Sequence, residues 1–190
     1  PPANWSGTIS GLQVGVWSGE PGLDPALTTA TIDVTVDGVA DGIGLTPTLS
    51  FGNEGQIIAL NLNSVMPDSD NSETATLTVR GLGQYAAFYA GTALLAAGYD
   101  AGTDTYTLTG LTPAQVTGLG VIQKDGSYSL EVTAHTVDSP GASTSATVTA
   151  TLPLNIANVP ATSGNDTLLY DGTPLDGLLG VDTIELRLGE

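Results

Sequence analysis

Apolar and polar residues alternate along much of the chain. In Ala30-Thr31-Ile32-Asp33-Val34-Thr35-Val36 they change places at every step. Ala75-Thr76-Leu77-Thr78-Val79 repeats the pattern, as do Tyr128 to Ala134 and Ala146 to Leu152. A period of two sends successive side chains to opposite faces of an extended strand, so these segments predict antiparallel strands buried on one face. Threonine fills most of the polar positions, where a β-branched hydroxyl suits a solvated pleat. Less regular strand candidates are Thr8 to Trp17, Gln56 to Asn63, Tyr106 to Thr109 and Thr183 to Leu188. Turn dipeptides separate the candidates: Asp37-Gly38, Asp125-Gly126, Pro140-Gly141 and Asp171-Gly172.

Helix signals are few. Thr112-Pro113-Ala114-Gln115 places a capping residue before a proline at the first helical position, which predicts one short helix ending near Gly118. The apolar, alanine-rich stretch Tyr89 to Ala97 fits either a strand or a short helix. Many short strands at this spacing predict an all-β fold, a β-sandwich of immunoglobulin-like type. Residues 1–157 form the predicted sandwich module, with 1–41 as a candidate separate pair of strands ending in a Gly/Asp-rich connector. Residues 158–190 change character after Asn158-Val159-Pro160-Ala161 and are set apart as a tail.

Charge narrows the function. The 190 residues carry 20 acidic side chains and 3 basic ones, a formal net charge of −17. With 41% apolar residues the chain should nonetheless fold. The bases Arg80, Lys124 and Arg187 are scattered, which excludes a nucleic-acid backbone and an anionic membrane surface as partners. No stretch predicts a membrane-spanning helix or a signal peptide. Opening on Pro1-Pro2, the chain is expected to be a module of a longer or processed protein. Cysteine is absent and His135 is the sole histidine, so thiolate and multi-histidine metal sites are excluded. The acids are 14 aspartates and 6 glutamates. Aspartate is a turn former and a compact hard-oxygen ligand, so the excess fits either plain solubility or calcium.

The densest cluster is Asp68-Ser69-Asp70-Asn71-Ser72-Glu73, between two strands. Alternate carboxylates there can turn toward one ion with Glu73 reaching back, although the spacing is not that of an EF-hand. The plain alternative is a polar hairpin loop, but unscreened like charges this close repel. Glu54, Asp37, Asp41 and Asp138 lie at strand ends that a sandwich would gather at one pole, so calcium there would stiffen the connector. Asp100 and Asp104 form a further candidate loop, equally readable as a turn. In the tail, Ser163-Gly164-Asn165-Asp166-Thr167-Leu168 and Gly180-Val181-Asp182-Thr183-Ile184 fit the core of the calcium-binding nonapeptide repeat. Their aspartates are 16 apart rather than the 18 of intact repeats. Two such turns are too few for a solenoid, so the tail is expected to pack on the sandwich, with Asp166, Asp171, Asp176 and Asp182 as candidate ligands.

These features carry a resemblance. The tail is similar to segments of RTX-type bacterial adhesins. Glu54, then Asp68-x-Asp70-x-x-Glu73, then Gly118-Leu119 and a threonine-rich last strand, resemble the cadherin-like or Ig-like modules of those proteins. Pro2-Ala3-Asn4-Trp5-Ser6-Gly7 resembles a stretch that comes late in such modules, before their last strands. The resemblance implies several bound calcium ions, type I secretion, and a monomeric module of a longer chain at the bacterial surface, in adhesion and biofilm formation. Extra length and the aromatics Tyr85, Phe88, Tyr89 and Tyr99 make the chain resemble the peptide-binding kind of module, which holds a polypeptide end. The aromatics otherwise read as core. Two alternatives stand beside that reading, a purely structural extender and a carbohydrate-binding module.

Catalysis is not expected. No G-x-S-x-G elbow or phosphate loop is present. His135 falls on the polar face of its strand, and 5% aromatic residues is little for a sugar-stacking cleft.

Overall fold

The alternating segments become strands in the computed structural model, which describes residues 5–18, 26–67, 72–139, 143–158, 167–170 and 183–186. In chain order the strands are β1 (Gly7–Ser18), β2 (Ala26–Val36), β3 (Ser50–Asn53), β4 (Ile58–Ala59), β5 (Glu73–Arg80), β6 (Ala87–Ala90) and β7 (Ala93–Leu94). They continue as β8 (Gly98–Asp100), β9 (Thr105–Leu111), β10 (Leu119–Ile122), β11 (Gly126–Asp138), β12 (Val148–Ala157), β13 (Thr167–Tyr170) and β14 (Thr183–Leu186), with one helix, α1 (Pro113–Thr117), between β9 and β10. The fold is all-β.

Two sheets share one core. The larger has the order β3-β12-β11-β5-β9-β8, antiparallel except where β3 runs parallel to β12. The smaller has the order β4-β10-β6-β7. The period-two pattern sets which side chains face inward: Ala75, Leu77 and Val79 from β5, Leu130, Val132 and Ala134 from β11, Leu152, Leu154 and Ile156 from β12. They meet Ile58, Phe88, Leu119 and Val121 of the smaller sheet. Helix α1 begins as its sequence predicts. Thr112 Oγ1 accepts from the Gln115 amide while Gln115 Oε1 accepts from the Thr112 amide, a reciprocal capping box. It ends at Gly118 and buries Val116.

One expected strand is shorter than its sequence suggests, and one open alternative is resolved. Gln56 to Asn63 contributes only the short β4. Beyond it the backbone leaves the ladder to bond irregular partners, with the Thr46 amide donating to Leu62 O at 3.1 Å and the Thr48 amide to Asn61 O at 3.0 Å. Tyr89 to Ala97 is not a helix. It turns at Gly91, whose φ of +60° suits a tight reversal, and forms the β6–β7 hairpin.

Strand direction defines two poles. β11 ends at Asp138 beside the start of β5, and the connector after β2 bonds to this end. β12 ends at Ala157, beside the start of β11 at the opposite pole, where the Glu54 amide donates to Ala157 O at 3.0 Å. The ribbon β1–β2 therefore leads into one pole, and the chain leaves the sandwich at the other. The ribbon is a two-stranded sheet of its own, as are the parallel strands β13 and β14.

Burial separates otherwise similar side chains. Leu130 is fully buried and Leu12 is 46% exposed. Leu130→Ala should cost about 2–5 kcal/mol in urea unfolding, and Leu12→Ala about 0.5 kcal/mol or less. Equal losses at both positions would contradict this placement of the core.

Candidate functional site

The core-facing stripes of β5 and β11 do not end in apolar residues. Parity continues inward from Val79, Leu77 and Ala75 to Glu73, which is 1% exposed, and from Ala134 to Thr136 and Asp138, the last 5% exposed. Glu73 and Asp138 are direct cross-strand partners in the antiparallel register. Such neighbours hold their Cβ atoms about 4.5–5.5 Å apart, so two carboxylates share one buried end of the core. The two described bases with charged side chains are elsewhere. Arg80 lies at the far end of β5, 3.9 Å from Glu131 and exposed, and Lys124 precedes β11 at the opposite pole.

The connector wraps this pair. The Asp41 amide donates a short hydrogen bond to Glu73 Oε1. Ser6 Oγ donates to Asp138 Oδ1 at 3.3 Å, and the Asp138 amide donates to Ser143 O at 3.1 Å. The Ala40 amide reaches Ser143 Oγ at 2.6 Å, the Gly42 amide reaches Thr136 Oγ1 at 3.1 Å, and the Thr136 amide reaches Ser145 Oγ at 2.9 Å. Gly38 permits the approach, since a Cβ there would lie 2.2 Å from Asp138 Oδ1. Beside it a cavity of about 220 Å³ is lined by Trp5, Ser6, Asp37, Val39, Asp41 and Asp138. The structure thus brings together four of the acids singled out in the sequence: Asp37, Asp41, Glu73 and Asp138. Among the described residues no three acidic or histidine side chains already converge as a metal group.

The remaining described candidates, Glu54, Asp100 and Asp104, are dispersed. Asp68 and Asp70, just ahead of Glu73 in sequence, lie outside the described residues, as do Asp166, Asp171, Asp176 and Asp182. Glu54 does not join the connector pole, because β3 runs parallel to β12 and delivers it to the other end. Asp100 accepts from the Gly102 amide and the Thr103 hydroxyl, each at 2.9 Å, as the first residue of a tight turn. Asp104, at φ +52°, accepts from the Gly83 amide at 2.9 Å and the Tyr99 hydroxyl at 3.1 Å. Tyr99 stacks on Tyr106 with ring centroids 4.5 Å apart, and Phe88 packs edge-on to Tyr106 at 5.3 Å. Tyr89 sits in β6 opposite Gly120, and Tyr85 is exposed at φ +72°. His135 is half-buried on the outer face of β11, less open than its polar neighbours suggest.

Some contributors had no signal in the sequence. Ser6, Thr136, Ser143 and Ser145 are ordinary strand and loop hydroxyls, and only the fold brings them to the connector. Gly38 was legible as a turn glycine but not as the residue that makes room for a carboxylate. In the tail, β13 and β14 pair in parallel with Thr167 opposite Thr183, an offset of 16 residues. That offset is the spacing of the two glycine-aspartate motifs, each of which immediately precedes its strand.

No protein-family model matches the chain, and no curated protein matches it. Among solved structures the chain is similar to AggA, the major subunit of aggregative adherence fimbriae type I from Escherichia coli. Identity is 12%, covering 64% of this chain and 99% of that one, with a TM-score of 0.26.

Two outcomes follow from the hydrogen bonds. Gly38→Ala should displace the Asp138 carboxylate and lower the melting temperature, whereas Gly98→Ala, with open space around it, should not. The Asp100 carboxyl is held below its ordinary value of 3.8, first by the Thr103 hydroxyl and then by the Gly102 amide. Folded Asp100 therefore releases its proton more readily than unfolded Asp100. Its contribution to stability is present above the ordinary value and is lost as pH falls through the folded one. Carboxyl NMR titration should show Asp100 below 3.8, and Thr103→Val should move it back up; no movement would exclude the hydroxyl as the main cause.

Proposed function

We propose that this chain is a calcium-dependent module of an extracellular bacterial surface adhesin. On this reading it is an Ig-like or cadherin-like sandwich in which calcium stiffens the joint between ribbon and sandwich. The observation that carries it is the buried cross-strand pair of Glu73 and Asp138, with Asp37 and Asp41 on the connector around it. Two carboxylates placed side by side at a buried end of the core attract a counter-ion. Carboxylate and hydroxyl oxygens with backbone carbonyls are the donor set of a hard cation such as calcium. Glu73, Asp138, Asp37 and Asp41 would hold it. The tail supports the same family reading through its parallel register and its two motifs.

Spacer function fits the geometry better than ligand capture. Ribbon and exit lie at opposite poles, as serial linkage requires, and Tyr99 is packed into the edge of the core rather than lining an open site. Bound calcium would restrict the connector and offset part of the −17 charge. The module then acts as a stiff segment that carries load between its neighbours and catalyses nothing. No helix among the described residues is long and apolar enough to cross a membrane.

A second reading, capture of a peptide's carboxyl end, draws on a cavity of about 430 Å³ beside the connector, where Ile43, Val65 and Val148 lie close to Asp41. A calcium ion with an open position there would accept a carboxylate despite the protein's negative charge. Peptides with free C-termini, titrated against amidated versions in millimolar calcium, separate the two readings. Binding of the free form alone supports capture, and no binding leaves the spacer.

Melting with and without calcium tests the shared claim. At about 100 times its dissociation constant an ion bound only by the native state adds about 2.7 kcal/mol, or about 5–10 °C for a domain of this size. Excess chelator should remove that gain. Glu73→Gln with Asp138→Asn should abolish the calcium response while leaving the calcium-free protein as stable as before, or more so. An unchanged melting curve in chelator would overturn the proposal.

A further inference from the structure

The ribbon and the last hairpin of the sandwich are the same object twice. Strand β2 aligns on β12 at a constant offset of 120 residues, so Thr29-Ala30-Thr31-Ile32 falls on Thr149-Ala150-Thr151-Leu152 and Val34 and Val36 fall on Leu154 and Ile156. Strand β1 aligns on β11 with Gly7 on Gly126, Leu12 on Leu130 and Val14 on Val132, one residue being gained at a bulge between Ile9 and Leu12. The cross-strand registers also agree. Leu12 pairs with Ile32 and Leu130 with Leu152; Val14 pairs with Ala30 and Val132 with Ala150; Gly7 pairs with Val36 and Gly126 with Ile156. Both opening glycines take extended, left-handed φ values, +134° at Gly7 and +149° at Gly126. Each lies against an aromatic ring, Trp5 for Gly7 and Tyr128 for Gly126, at 3.2 Å from where its Cβ would be. Paired threonine hydroxyls decorate the polar face of both, Thr8 with Thr35 at 3.2 Å and Thr133 with Thr149 at 3.1 Å.

Their surroundings differ. In β11–β12 the apolar face is covered, with Leu130, Val132, Ala134, Leu152 and Leu154 at 0% exposure. In the ribbon the matching face is open, with Leu12 at 46%, Val16 at 63% and Ile32 at 45%. The bulge preserves that face. Gly11, at φ +71°, absorbs the extra residue and donates its amide to Asp33 Oδ1 at 2.7 Å, which returns Leu12 to the side of Ile9. A bare two-stranded ribbon is marginal in water, and a continuous apolar face of this kind marks an interface.

We infer that β1–β2 is the closing hairpin of a second sandwich of this fold, and that its apolar face is covered by a strand set equivalent to residues 41–122. The sandwich described here cannot supply that cover, because its own strands are filled by β11 and β12. The match of register, glycine conformation and bulge-corrected parity specifies the occupant: strands that seat Leu130 and Leu152 here would seat Leu12 and Ile32 there. The connector from Asp37 to Gly44 is then the linker between two like modules. This inference does not rest on the calcium reading, since the matched registers, glycines and bulge include none of the proposed ligands.

The test is the full chain extended by a copy of residues 41–122 placed directly ahead of Asn4, the position that aligns with Gln123. Hydrogen exchange of the amides in β1 and β2 is compared with the 190-residue chain. Protection should rise at least about 100-fold, which at about 1.4 kcal/mol per factor of ten is roughly 2.8 kcal/mol. Leu12→Asp with Ile32→Asp should remove the gain and leave β5 and β11 as protected as before. A control carries residues 126–157 in place of the ribbon, which shows whether the added copy can fold in that position. If the control is protected and the natural ribbon is not, the inference is overturned. It is equally overturned if the 190-residue chain sediments as a dimer that Leu12→Asp dissociates, since a second copy would then be the cover.

Discussion

Two buried carboxylates on neighbouring strands constrain how this chain can fold and what it can hold. Glu73 and Asp138 occupy positions that parity assigns to the core, at the one end of the larger sheet where the connector arrives. Like charges in such a place repel one another. One amide from Asp41 and one hydroxyl from Ser6 offset part of that. No described basic side chain lies at this pole. On the proposed reading, a divalent cation would turn this like-charged contact into a clamp between connector and core.

The rest of the architecture is arranged around that joint. The connector is tied down by bonds to Thr136, Ser143 and Glu73, so the direction in which the ribbon leaves is set by the same residues that face the acids. The far pole carries Ala157 and Glu54 and leads toward the tail. Modules entered at one end and left at the other can be strung in series, and stiffness in such a string resides in the joints. If the ribbon is the end of one sandwich and Gly44 the start of the next, the acids lie where neighbouring modules meet. Calcium would then act between modules rather than within one.

How much of this was legible in the sequence depends on the range of the interactions. Period-two alternation made β2, β5, β11 and β12 visible, because a half-buried strand writes its environment into every second residue. The Thr112-Pro113 helix start was visible because capping is local. Short strands were only loosely marked, β4 inside the longer candidate Gln56 to Asn63 and β7 inside a stretch that fits strand or helix, since two paired residues leave no period to read. The four acids of the candidate site are legible separately, Glu73 in the Asp68–Glu73 loop cluster, Asp37 and Asp41 in the connector and Asp138 at a strand end. Their grouping was only partly right, because Glu54 follows a strand that runs parallel to β12 and ends at the opposite pole. Strand order is non-local, and no spacing rule recovers it. The hydroxyls of Thr136, Ser143 and Ser145 were hidden for the same reason. The repeat of the closing hairpin was present in the sequence but masked by the Gly11 bulge, which shifts the alignment by one residue in the middle of β1. It became plain only when two registers could be compared.

The central claim is that Glu73 and Asp138 share a bound calcium ion. Carboxyl carbon NMR of the two side chains during a calcium titration tests it most directly. The account predicts that both resonances shift together, with one midpoint, and that the Glu131 carboxyl on the exposed face of β11 does not move. Saturating calcium that left both signals in place, or moved Glu73 and Asp138 no more than Glu131, would contradict it.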